Sequence, residues 1–120
     1  MGDELMPLVS ETDIIAEFQF VSAGQTSKKQ DCKIIVEKPH LDSDHLWCCR
    51  VHLYGMDNRH YDIFGDNSLQ ALCLALRFTA DRLEYTRGKG LKFFARNRSG
   101  RLAPIDFSPY FLAFPPINSQ

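Results

Sequence analysis

The stretch from Asp66 to Tyr85 constrains the chain more than any other. Leu69, Leu72, Cys73, Leu76, Ala80 and Leu83 recur at the i, i+3, i+4, i+7 spacing of one helical face. Ala71, Leu74, Ala75 and Phe78 widen that face, and Gln70, Arg77, Asp81 and Glu84 fall on the opposite stripe. An apolar arc this broad needs a sheet to cover it. Asn67 is placed to cap the helix, with Gln70 three residues on to reach back and complete a capping box. Asp66 adds negative charge at the positive end of the helix dipole. Arg87-Gly88-Lys89-Gly90 supplies last-turn cations and then glycines that can turn left-handed. The signals predict one helix over about residues 67–86.

The flanking segments read as strands. Ile14, Ala16, Phe18 and Phe20 alternate with Glu17 and Gln19 between Asp13 and Ala23. Cys32 to Lys38 alternates likewise, except at Ile35, and Pro39 stops it. From Leu46 to Tyr54, Trp47, Cys49, Val51 and Leu53 point one way. Cys48, Arg50, His52 and Tyr54 point the other, and the first set is expected under the helix. Gly55-Met56-Asp57-Asn58 turns the chain back into a strand over Arg59 to Phe64. After the helix come short strands at Leu91–Ala95 and Leu102–Phe107, around a polar turn at Arg96–Arg101. The expected fold is α+β: an antiparallel sheet of four to six strands with one long helix on one face.

With 120 residues the chain suits one domain, expected over residues 13–120 after a flexible leader at 1–12. Its end, Ser108 to Pro116, reads as an extended tail of aromatics bounded by prolines. A net charge of −1 supplies no field to draw nucleic acid or an anionic membrane. No run approaches the roughly 18 apolar residues of a membrane span. The acidic start, Met1-Gly2-Asp3-Glu4, lacks the order of a secretion signal, so a cytoplasmic protein with reduced cysteines is expected.

Each chemical motif has a plainer reading beside it. His40, His45, Cys48, Cys49, His52 and His60 are zinc-ligand types. Yet strand alternation turns adjacent Cys48 and Cys49 to opposite faces, so no metal and no cofactor are expected. Cys48 with His52 or His60 lacks a nucleophile motif, and Asp57, Asp62 and Asp66 are ordinary turn and cap carboxylates. Lys89, Lys92, Arg96, Arg98 and Arg101 around Phe93 and Phe94 are the composition of a single-strand nucleic-acid binder. A solvated hairpin over core phenylalanines explains them equally well. By elimination, a non-catalytic protein-binding role is expected. Its candidate contacts are Arg50, His52 and Tyr54 on an exposed strand face, Arg96, Arg98 and Arg101 in the turn, and Tyr110, Phe111 and Phe114 in the tail.

Leu46-Trp47-Cys48-Cys49-Arg50-Val51-His52-Leu53, followed by Asp66-Asn67-Ser68-Leu69-Gln70-Ala71-Leu72, resembles a family of small bacterial domains of unknown function. Their pattern is a Trp-x-Cys strand and a D-S-L-Q-A-L helix start, from which the inserted Asn67 departs. The resemblance spans residues 13–87 and implies a compact sheet-plus-helix domain with no activity attached. Chains of this make-up also resemble, as a class, the immunity proteins of contact-dependent and type VI secretion toxins. That resemblance implies a cognate toxin as the protein partner, with a homodimer also allowed and nucleic acid disfavoured.

Overall fold

The computed structural model describes residues 13–24, 28–107 and 110. The strands are β1 (Ile14–Ala23), β2 (Gln30–Glu37), β3 (His40–Leu41), β4 (Trp47–Tyr54) and β5 (His60–Gly65). The helix α1 (Ser68–Gly88) follows, then β6 (Lys92–Arg96) and β7 (Leu102–Pro104). Every pairing is antiparallel. The fold is therefore α+β, with one helix on one face of the sheet.

β2 and β3 share one edge of β4, while β5 takes the other. The register moves from Val36↔Val51 to His40↔Cys48, so one extra residue is accommodated around Pro39. Pro39 lacks a ladder donor, and that is where the strand breaks. The polar connection expected at His40–His45 thus begins with two more residues of sheet. Beyond β2 the order runs through β1, β6 and β7.

The helix lies against β4 and β5. Its contact line differs from the leucine stripe read from the sequence. Ala71, Ala75, Thr79 and Leu83 are its buried residues, whereas Leu69 is 68% and Leu74 39% exposed. Small side chains at i, i+4 and i+8 let the helix axis approach the strands, and the larger Leu72, Leu76 and Phe78 fill the flanks. The approach is closest at the entry. A Cβ at Gly65 would lie 2.6 Å from the backbone nitrogen of Ala71.

Asn67 caps the helix as expected, its Oδ1 accepting from the Gln70 N–H at 2.8 Å. Gln70 reaches back one residue further than a standard capping box, its Oε1 accepting from the Asp66 N–H. The helix runs through Gly88, and Gly90, at φ +98°, takes the left-handed turn.

Under the helix, Cys49, Val51 and Leu53 are fully buried with Ile34, Val36 and Cys32. The far end of this core is aromatic. Phe20, Phe93 and Phe107 meet edge to face, with centroids 5.2–5.4 Å apart. Phe18 and Tyr110 extend the cluster.

Candidate functional site: the reverse face and the β6–β7 hairpin

Register alone assigns the face of the sheet away from the helix. Ile35↔His52 and Lys33↔Tyr54 pair across β2 and β4, and His52↔His60 and Arg50↔Asp62 across β4 and β5. All seven side chains share the reverse face, because directly opposed residues point the same way.

This face is not the exposed strand face expected from alternation. His52 and Tyr54 are each 2% exposed, and of the three only Arg50 is partly exposed. A buried imidazole must have its hydrogen bonds made. His52 Nε2 lies 2.5 Å from Glu37 Oε2, and His52 Nδ1 lies 3.1 Å from the Tyr54 hydroxyl. In the tautomer protonated at Nε2, the ring donates to Glu37 and accepts from Tyr54. The chain Tyr54–His52–Glu37 has the connectivity of an acid–base relay, but both ring nitrogens are engaged inside it. Glu37 was not singled out in the sequence. It becomes a partner only through the cross-strand register.

Beside the relay, Arg50 grips Asp62 with two hydrogen bonds, Nε to Oδ1 at 2.7 Å and Nη2 to Oδ2 at 3.2 Å. These bonds hold the Asp62 carboxyl below its ordinary range. Burial pushes the Cys48 thiol up to about 11, and the Asp62 carboxylate adds to the shift. Burial raises Cys49 to about 11 as well, with Cys48 as the next cause. Nucleophilic cysteine chemistry needs the opposite shift.

Cys48 and Cys49 do face opposite sides of the sheet, Cys49 in the core under the helix. Among the described residues no group of three or more His, Cys, Asp or Glu side chains is placed to hold a metal ion. Asp57 accepts from Tyr61 and joins Arg82 of the helix at 3.4 Å, tying α1 to the β4–β5 turn.

The second set of candidates sits elsewhere. β4 and β6 are separated by β2 and β1, so Arg50, His52 and Tyr54 stand about 14 Å across the sheet from the hairpin. They do not form one patch with Arg96, Arg98 and Arg101.

The β6–β7 turn is closed by its own atoms. Asn97 Oδ1 accepts from the N–H groups of Ser99 at 3.0 Å and Arg101 at 3.1 Å, and from the Ser99 hydroxyl at 2.7 Å. Asn97 N–H donates to the Arg101 carbonyl at 2.9 Å, and Gly100 turns at φ +84°. Arg96 donates from Nη1 to the Gly100 carbonyl at 3.0 Å.

The hairpin thus presents three exposed arginines on a preorganised turn. Arg50, Arg59, Arg82 and Arg87 each have a carboxylate partner. Among the described residues, Arg96, Arg98 and Arg101 have none. Tyr110 packs on Phe18 and Phe107 and remains 54% exposed, while Phe111 and Phe114 lie outside the described residues. No described helix is long and apolar enough to cross a membrane.

A family model described as a domain of unknown function, DUF6968, matches residues 19–103. The match takes in the sheet from within β1 to β7, with the helix between. The chain belongs to that family of small domains. No curated protein and no solved structure matches it.

Proposed function

We propose that the chain is a non-catalytic protein-binding domain. In its most concrete form it is a cytoplasmic bacterial immunity protein that neutralises a cognate secreted toxin by occluding it. The observation that carries the binding reading is the hairpin. Three arginines without carboxylates stand on a turn whose geometry is fixed before any partner arrives, so little ordering cost remains on docking. Arginine on a rigid support is an interface residue, and an acidic protein surface is its complement. The engaged ring of His52 and the raised thiols of Cys48 and Cys49 support a role without chemistry. The toxin itself comes from the class resemblance of the sequence, and the hairpin adds only the sign of the surface it would meet.

The nucleic-acid alternative needs aromatic faces for bases to stack on. Phe93 is 5% exposed and spends its faces on Phe20 and Phe107, and Phe94 is half-buried. That weighs toward protein.

Co-expression with the product of the neighbouring gene tests the reading. The wild-type chain is expected to co-purify with that protein and protect cells from it. Arg98→Glu with Arg101→Glu is expected to weaken the complex at least tenfold while leaving the fold intact, since both side chains are exposed. A chain that stays alone and protects nothing, or a complex indifferent to the double reversal, rejects it. Retardation of oligonucleotides at low salt by the chain alone would favour the alternative.

A further inference from the structure

The reverse face holds a second feature, away from the buried relay. Val21↔Asp31 and Gln19↔Lys33 pair across β1 and β2, and Val21↔Phe94 pairs across β1 and β6. By two-residue alternation Arg96 falls on the same face as Phe94. Gln19, Val21, Asp31, Lys33 and Arg96 are among the residues lining a trough of about 640 Å³, to which the core-side strand residues Phe18, Phe20 and Cys32 also contribute. β6 pairs with β1 only as far as Phe94↔Val21. Ala95 and Arg96 form a wall along a floor built by β1 and β2. The volume lies within the range of small-molecule sites, roughly 300–1,000 Å³.

The charges in the trough are arranged in a particular way. Lys33 is neutralised by Glu17, Nζ to Oε1 at 3.2 Å. Arg96 is steadied by the Gly100 carbonyl, which occupies one guanidinium nitrogen and leaves other donors free. Asp31 stands on the floor. Among the described residues neither the Arg96 guanidinium nor the Asp31 carboxylate has an ionic partner, and they do not pair with each other. One cation and one anion therefore line a single cavity, unjoined, with an apolar floor at Val21 and an amide at Gln19.

A ligand with one charge would satisfy one wall and oppose the other. A ligand carrying both charges would satisfy the two together, the general route to specificity in a site with fixed charges. We propose that the trough binds a small zwitterion of amino-acid or short-peptide size, its carboxylate on Arg96 and its ammonium on Asp31. This goes beyond the partner-binding reading: the two share Arg96, but Arg98 and Arg101 are not among the residues lining the trough, so the two readings can fail separately.

The test is a nitrogen-15 NMR titration of the full chain with the dipeptide Gly-Leu. N-acetyl-Gly-Leu and Gly-Leu-amide serve as single-charge controls. The expected result is saturable shifts of the Gln19, Asp31, Lys33 and Arg96 amides at millimolar dipeptide. Each blocked form, and each of Arg96→Gln and Asp31→Asn, should bind at least tenfold more weakly. Both substituted side chains are on the surface, and an unchanged amide spectrum elsewhere verifies the fold. No shift at these four residues up to about 10 mM, where binding would be worth less than about 3 kcal/mol, overturns the proposal. So does equal binding of the zwitterion and its blocked forms. Shifts confined to Arg98 and Arg101 would overturn the trough and leave the hairpin reading standing.

Discussion

At the scale of single residues, the four cysteines separate by environment. Cys48 and Cys49 are buried at 2% and 0% exposure, and their thiols are raised to about 11. A thiolate is the species that alkylates. Native chain treated with iodoacetamide at about pH 8 is expected to modify Cys73, which is partly exposed, well before Cys48 or Cys49. Mass-resolved labelling checks this, and Cys48 reacting as fast as Cys73 would contradict the assigned burial. His52 shows the limit of reading residues one at a time. Alternation places it correctly on the face away from the helix, yet the inference that this face is wet fails there. Ile35, the one residue that broke the pattern of its strand, was the available signal. An isoleucine among lysine and glutamate, now 4% exposed and opposite His52, says that the middle of the reverse face is dry too.

At the scale of elements, capping chemistry made the helix ends legible, and period-two alternation made β1, β2, β4 and β5 legible to within about two residues. The line of contact between helix and sheet was not. Hydrophobicity counts Leu69 and Leu74 as core, whereas packing selects Ala71, Ala75 and Thr79, because close approach rewards small volume. The extra residue at Pro39 and the partnership of Glu37 with His52 were equally hidden. Both depend on which residues oppose one another across strands, and local sequence does not set that. The junction of β5 and α1 carries the strongest steric demand. Gly65→Ala places a methyl group 2.6 Å from the Ala71 backbone nitrogen, and a backbone atom cannot rotate away. A loss of about 1–3 kcal/mol is expected in urea denaturation, typical of overpacking. An unchanged midpoint would mean that the helix entry is looser than its geometry implies.

At the scale of the whole molecule, acid stability follows the sign of the Arg50–Asp62 pair. Hydrogen bonds from Arg50 lower the Asp62 pKa in the folded state. The contribution is present above the unfolded aspartate value of about 3.9 and is lost as pH falls through the lower folded value. Both side chains are about a third exposed, so solvent screening limits it to roughly 0.2–1 kcal/mol. Asp62→Asn should lower stability at neutral pH by about that amount and flatten the acid limb of the stability–pH curve below about pH 4. An acid limb as steep as wild type would show that the pair is not held in solution. Across the molecule, composition and periodicity revealed the fold class, and the arginine cluster was visible as letters. What the letters did not carry was its isolation from carboxylates, which only tertiary pairing decides.

The self-closed turn at Asn97 has a consequence for how such a scaffold diversifies. Its geometry comes from Asn97, Gly100, the Ser99 hydroxyl, the Arg96 guanidinium and main-chain atoms, and the core beneath it is held by Phe93. Positions 98 and 101 are therefore nearly uncoupled from folding. A chain of this fold can exchange those side chains, reverse their charge or lengthen them while keeping the same sheet and helix unaltered.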